Sequence, residues 1–248
     1  MSAYGAIAKP ACSGTLVAST VWACKPNAKQ QNAPTTQNHL TIHHLTLARA
    51  LAQPGLIDHL RAIFALDIEA GRTYPQETIS GDGVFEAYFF GADVFLGLLA
   101  DGLPGNTGEG IQETDITIED ARGIRSWEDC VAGFYYVKPN YPGRSSHICN
   151  AGFVVSQHHR GGGYGKVLGR SYLHYGPKLG YKASVFNLVY VNNEASVRIW
   201  ESLNFVKAGR IPNAGRLKRA DGEGEEYVDA WVFYKSFSDE QSPSTHLV

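Results

Sequence analysis

Apolar positions along this chain change their spacing from one stretch to the next. Leu56-Ile57, Leu60, Ile63-Phe64 and Ile68 recur every three or four residues, so 55–71 reads as a helix. Residues 83–90 read as a second, short helix. Runs rich in β-branched and aromatic residues at 40–47, 94–100, 131–138 and 148–156 read as strands. After a glycine cluster, Val167, Leu168, Tyr172 and Leu173 return to helical spacing. Val185–Val191 is then almost continuously apolar, the pattern of a buried parallel strand, and a further helix begins at about residue 193. Strands at 205–211 and 228–234 close the pattern. Antiparallel strands leading into strand–loop–helix–strand predict an α/β (α+β) fold, a mixed and mostly antiparallel sheet flanked by helices. Residues 1–38 have little periodicity and read as a mobile extension with at most a short strand at 15–22. Residues 39–236 read as one domain, 101–126 as an exposed Gly-rich acidic loop within it, and 237–248 as a flexible tail.

Composition narrows the function without choosing it. Hydrophobic residues make up 44% of the 248, enough for a packed core. The net charge of −2 comes with no basic stripe, which argues against nucleic acid as a partner. No apolar run approaches the roughly 20 residues of a membrane span. Cys12, Cys24, Cys130 and Cys149 show neither metal-ligand spacing nor disulfide-scaffold density, so free thiols in a reducing compartment are expected. The neighbours in His43-His44 and His158-His159 project in different directions, and no metal site is expected. The N-terminus has no acidic residue before Asp58, as transit peptides do, but it is poor in Arg. The expectation is a cytoplasmic protein, with the mitochondrion as the alternative.

The chemistry concentrates at Arg160-Gly161-Gly162-Gly163-Tyr164-Gly165, between the strand ending near Val155 and the next helix. A glycine turn at a helix N-terminus brings backbone N–H groups and the helix dipole to an anion. No register supplies Gly-x-Gly-x-x-Gly. A P-loop is excluded because Arg160 stands where its first Gly belongs and Val167, not Ser or Thr, follows Lys166. Arg-x-x-Gly-x-Gly, as Arg160, Gly163 and Gly165, does fit, and it resembles the pyrophosphate loop of the GNAT acyl-CoA N-acetyltransferases. Asn193, opening the helix that runs through Trp200 to Asn204-Phe205, resembles that superfamily's second signature and is also a good helix N-cap. Tyr136–Tyr141, Cys149–Phe153, Leu179–Lys182, Val185–Val189, Pro212–Gly215 and Glu69–Gln76 are similar to one fungal group, the L-azetidine-2-carboxylate N-acetyltransferases. That similarity spans about residues 55–235.

The resemblance implies a GNAT fold, acetyl-CoA as cosubstrate, a small cyclic imino acid as acceptor, a detoxifying role and a homodimer. It places the pyrophosphate at Arg160, Gly161, Gly162, Gly163, Tyr164, Gly165 and Lys166, and the pantetheine along the strand edge Phe153, Val154 and Val155, whose N–H groups are natural oxyanion donors. Asn193 would contact the sulfur or the pantetheine. Asn150 and Asn187, amides inside apolar strands, would orient the acceptor, with Asn187 also setting the reactive geometry and Tyr74 walling the pocket. Trp200 occupies the position at which many relatives carry a Tyr acid, and an indole N–H is not a usable acid. The base would be a water chain, with Glu69 as second choice. Two rivals follow: an acetyltransferase for another amine (polyamine, amino acid or protein), and a catalytically inactive binding module.

Overall fold

A computed structural model describes residues 16–24, 39–91, 93–100 and 111–237. The strands are β1 (Ser19–Ala23), β2 (His39–Leu45), β3 (Asp93–Ala100), β4 (Gln112–Thr114), β5 (Val131–Pro139), β6 (Ile148–Val155), β7 (Ala183–Tyr190), β8 (Val206–Lys218) and β9 (Glu225–Ser236). The helices are α1 (Leu47–Leu51), α2 (Leu56–Ala70), α3 (Val84–Phe90), α4 (Ile118–Arg122), α5 (Trp127–Cys130), α6 (Tyr164–Lys178) and α7 (Glu194–Ser202). The strands form one sheet in the order β4-β1-β2-β3-β5-β6-β7-β9-β8, antiparallel throughout except for β6 and β7.

Both sheet faces are covered. On one face α6 and α7 bury Tyr135, Tyr172, Phe186, Trp200 and Phe205. On the other, α2 and α3 bury Phe64, Phe85, Phe89, Phe134 and Tyr136. Alternation along β5 and β6 sorts their residues between these layers: Tyr135, Val137, Cys149, Ala151, Phe153 and Val155 belong to the α6/α7 face, Phe134, Tyr136 and Val154 to the other.

The parallel pair is the feature that makes a site. β6 and β7 pair only at Ile148↔Ala183 and Cys149↔Ser184, then diverge. Beyond that point β6 keeps its antiparallel ladder with β5, while its other edge opens into a splay. Phe153, Phe186 and Trp200 fill the α6/α7 side of the wedge, with ring centroids 4.4 Å apart for Phe186–Trp200 and 5.0 Å for Phe153–Trp200.

Three expectations are corrected. Residues 19–23 do not belong to a mobile extension: β1 lies inside the sheet between β2 and β4, with Trp22 only 2% exposed. Residues 1–15, 25–38 and 238–248, the bulk of the proposed extension and tail, lie outside the described residues, as does 101–110. The stretch read as loop to 126 instead contains β4 and α4, the latter started by a capping box in which Thr117 and Asp120 exchange side-chain and backbone bonds. Val185–Val191 is not a wholly parallel strand, since β7 pairs mainly with the antiparallel β9.

The pair His43-His44 is structural. His44 bonds through Nε2 to Asp93 (3.1 Å) and accepts from the Val17 N–H at Nδ1 (3.2 Å). His43 bridges Ser19 and Thr41, and burial, aided by Arg49, lowers its pKa to about 4. The thiols of Cys24 and Cys149 are pushed up to about 12 by burial, so neither is a nucleophile at neutral pH. Among the described residues no cluster of His, Cys, Asp or Glu could hold a metal ion, and no helix is long and apolar enough to cross a membrane.

Candidate active site

The splay opens into a cleft of about 860 Å³ running from the glycine turn, past the free edge of β6, to the α2/α3 face. At one end Gly163 caps α6 with φ 80°, a left-handed conformation that suits Gly and lets the chain turn sharply into the helix. Gly161, Gly163, Tyr164, Gly165 and Lys166 line the cleft; Gly162 lies beneath the Tyr164 ring and does not. Arg160 turns backward: its guanidinium pairs with the buried carboxylate of Asp67 on α2, and its Nε donates to the Val155 carbonyl (3.4 Å). Burial raises the Asp67 pKa and Arg160 pulls it back. Arg160 therefore ties the turn to α2. Asp67, missed by sequence reading because nothing in the spacing links it to residue 160, anchors that tie.

Ladder parity decides which part of β6 faces the cleft. The Ser156 N–H donates to the Ala132 carbonyl (3.0 Å), and alternation along an antiparallel ladder then turns the backbone groups of Val154 toward β5 and those of Phe153 and Val155 toward the splay. The Val154 side chain is buried on the opposite face, so its expected cofactor contact is corrected. In the splay the Phe153 carbonyl accepts from the Tyr74 hydroxyl (2.8 Å) and the Ala151 N–H donates to Asn150 Oδ1 (2.8 Å). The amide groups of Phe153 and Val155 are left directed toward the cleft.

Asn150, Asn187 and Tyr74 all line this cleft, but the structure does not bring the two amides together as a pair. Asn187 sits in a bulge, since residues 187–188 have no partner on β9, and a bulge re-aims a side chain. Its amide forms a reciprocal pair with Asn140, donating at 2.6 Å and accepting at 3.1 Å. Asn193 caps α7 through Oδ1, accepting from the Ser196 N–H at 3.2 Å, and also lines the cleft. Trp200 is buried and donates to Ser196 Oγ (2.9 Å). Glu69, the second choice as base, is corrected: it is exposed and lines a neighbouring cavity of about 810 Å³ between α2 and β8. Tyr190 was not singled out by the sequence. It is 2% exposed, its hydroxyl has no hydrogen-bond partner among the described residues, and it lines both cavities.

A sheet parted between two parallel strands, with a glycine turn and helix N-terminus at one end of the gap, defines an acyl-CoA-dependent acyltransferase fold. Residues 110–205 match the Acetyltransferase (GNAT) family. The chain is 39% identical over 182 residues to "N-acetyltransferase aca1" of Schizosaccharomyces pombe, covering 73% of this chain and 80% of that protein. This chain belongs to the GNAT acetyltransferase family and is an acetyl-CoA-dependent N-acetyltransferase. Among solved structures, a GCN5-related N-acetyltransferase from Kribbella flavida aligns with TM-score 0.58 at 22% identity, over 79% of this chain and 97% of that one. YncA of Salmonella typhimurium, a putative acetyltransferase solved with acetyl-CoA, aligns with TM-score 0.54 at 15% identity, over 84% and 99%.

The residues present fit that cosubstrate. The glycine turn offers backbone donors for a pyrophosphate, and the free edge of β6 can pair with the amides of pantetheine as an added strand would. Acetyl-CoA supplies an activated acyl carbon. The Phe153 and Val155 N–H groups, directed toward the cleft, would serve as donors to the acyl oxygen.

Proposed function

We propose that this enzyme acetylates the ring nitrogen of a small cyclic imino acid such as L-azetidine-2-carboxylate or a proline-like compound. The observation carrying this reading is the cleft's charge. Asp67 is the one carboxylate among the described residues lining it, and Arg160 neutralises it. A polyamine or a basic peptide would call for free carboxylates. The α2/α3 side offers instead the neutral amide of Asn150 and a wall of Tyr74, Tyr88 and Tyr136, suited to a compact ring. Transfer forms the N–C bond, breaks the C–S bond and moves one proton from the amine to solvent while the thiolate gains one. Among the described residues lining the cleft, Asp67 is paired with Arg160 and His159 bonds the Glu128 carbonyl, so a water chain is assigned to carry the amine proton. We assign protonation of the thiolate to the buried Tyr190 hydroxyl, which lines the cleft, because the Trp200 indole is not a usable acid. The same reading gives a detoxifying role and a homodimer, for which the exposed edge strand β8, with Val206 and Ile211 outward, offers a pairing surface.

The test is coenzyme A release at fixed acetyl-CoA, comparing azetidine-2-carboxylate, proline, linear amino acids and spermidine. The ring acceptors should give the highest kcat/KM, and a preference for spermidine would replace this reading with the polyamine one. Release with no acceptor in the panel would leave the acceptor class open to proteins.

A further inference from the structure

Lys138 belongs to the acceptor end of the cleft and was assigned no role by its sequence. It stands on β5 directly across the ladder from Asn150, two residues from Tyr136, and all three line the cleft. Its ammonium lies 4.4 Å from the centroid of the Tyr136 ring and 5.1 Å from that of Tyr88. The Tyr136 ring can lie across the sheet because residue 152, its partner on β6, is Gly: a Cβ there would stand 2.6 Å from the ring. Lys138 is half-buried, and burial lowers its pKa. Among the described residues it pairs with no carboxylate, unlike Arg160, which is held by Asp67, and Arg198, which is held by Glu194. Two aromatic faces hold a cation in place without neutralising it. A second orphan is linked to it through Tyr88: Gln76 donates through Nε2 to the Tyr88 hydroxyl (3.1 Å), while its Oε1 is buried without a partner among the described residues. A cation without an anion over the Tyr88 ring and an acceptor without a donor on the amide bonded to its hydroxyl are the complement of a molecule carrying a carboxylate next to an N–H.

We infer that Lys138 binds the carboxylate of the acceptor and that Gln76 Oε1 receives its N–H, so that the enzyme selects α-amino or α-imino acids over simple amines. This rests on the proposed acceptor class but not on the ring, since a linear amino acid carries the same two groups. It adds a charged donor opposite Asn150, whose Oδ1 accepts from the Ala151 N–H and whose Nδ2 is the group able to donate to the same carboxylate.

The test compares azetidine-2-carboxylate with azetidine-2-carboxamide, and a linear amino acid with its amide, on wild type, Lys138→Met, Lys138→Gln and Lys138→Arg. Lys138→Met and Lys138→Gln should raise KM for the carboxylates about 10- to 100-fold and the carboxamides less than about threefold. Lys138→Arg should recover most of the difference, and KM for acetyl-CoA should stay unchanged. Equal loss of kcat on carboxylate and carboxamide would make Lys138 a proton acceptor and overturn the inference. A wild type that uses carboxamides as well as carboxylates would also overturn it, leaving the acetyltransferase activity untouched. Lys138-dependent selection among linear amino acids with no turnover of rings would uphold Lys138 and reject the cyclic acceptor. Binding of azetidine-2-carboxylate to the coenzyme A complex by calorimetry supplies a readout independent of turnover, and it should weaken by the same factor in Lys138→Gln.

Discussion

Asn187 shows what a single residue discloses and what it hides. An amide in an apolar strand is conspicuous in the sequence, because burying it unpaired costs about 1–3 kcal/mol. Its partner is not conspicuous: Asn140 lies 47 residues away, and no spacing rule joins the end of β5 to a bulge in β7. Asn187→Ala removes both bonds of the pair and strands the Asn140 amide. We expect kcat to fall about 10- to 100-fold, because the bulge edging the cleft loses its brace. Asn140→Ala should reproduce much of that loss without touching the substrate. If Asn140→Ala has wild-type kinetics, the pair is incidental and Asn187 acts by direct contact alone. Gly163 was fully legible, since a glycine turn before a helix advertises its own backbone. Gly163→Glu adds strain at positive φ and a negative charge where we propose the pyrophosphate binds. Acetyl-CoA affinity measured by calorimetry should drop at least about 100-fold, and unchanged affinity would remove the turn from the cofactor site.

At the scale of elements, the longer strands and helices from residue 39 onward follow from the spacing of their apolar residues, whereas the short α1, β4, α4 and α5 do not. What periodicity does not carry is contact between elements. α6 and α7 approach closely at Gly169, where a Cβ would meet Leu203 at 2.8 Å and Trp200 at 3.3 Å. Gly169→Leu should therefore cost about 1–3 kcal/mol in urea unfolding and, by pushing Trp200 toward Phe153, raise KM for acetyl-CoA. A neutral substitution would show that the two helices separate without consequence. The short strand read at 15–22 is β1, at Ser19–Ala23, but its place inside the sheet escaped the sequence reading because five residues carry no sign of their partners. Its weight comes from partners distant in sequence, such as the Tyr175 hydroxyl on Thr20 at 2.7 Å. A chain starting at residue 36 should lose solubility or melt well below the full chain in a thermal scan, since it uncovers Leu40 and Ile42 along β2.

For the whole molecule, burial of imidazoles sets the pH response. His43 has its folded-state pKa lowered to about 4 from 6.5, and burial shifts His59 and His174 in the same direction. The unfolded chain then binds the extra proton, so the stabilisation is complete above pH 6.5 and is lost as pH falls toward 4. His43 alone should remove about 2 kcal/mol of stability between pH 7 and pH 5. Urea midpoints at the two pH values should record the loss, and His43→Gln should flatten it; an undiminished slope would place the effect elsewhere. The molecule's defining feature, the parting of β6 from β7 after two paired residues, was predictable only through resemblance, because the divergence of two strands leaves no mark in either. It joins the glycine turn, proposed to bind the pyrophosphate, on one side of the sheet to an amide-and-aromatic chamber on the other. The claim that these two halves perform acetyl transfer to a small imino acid is tested most directly by competition. Purified enzyme is given limiting acetyl-CoA and equal concentrations of azetidine-2-carboxylate, proline, spermidine and a peptide with a free N-terminus, and the products are identified by mass. The account predicts that most of the acetyl label is found on the ring nitrogen of the imino acids; label found chiefly on spermidine or on the peptide would contradict it.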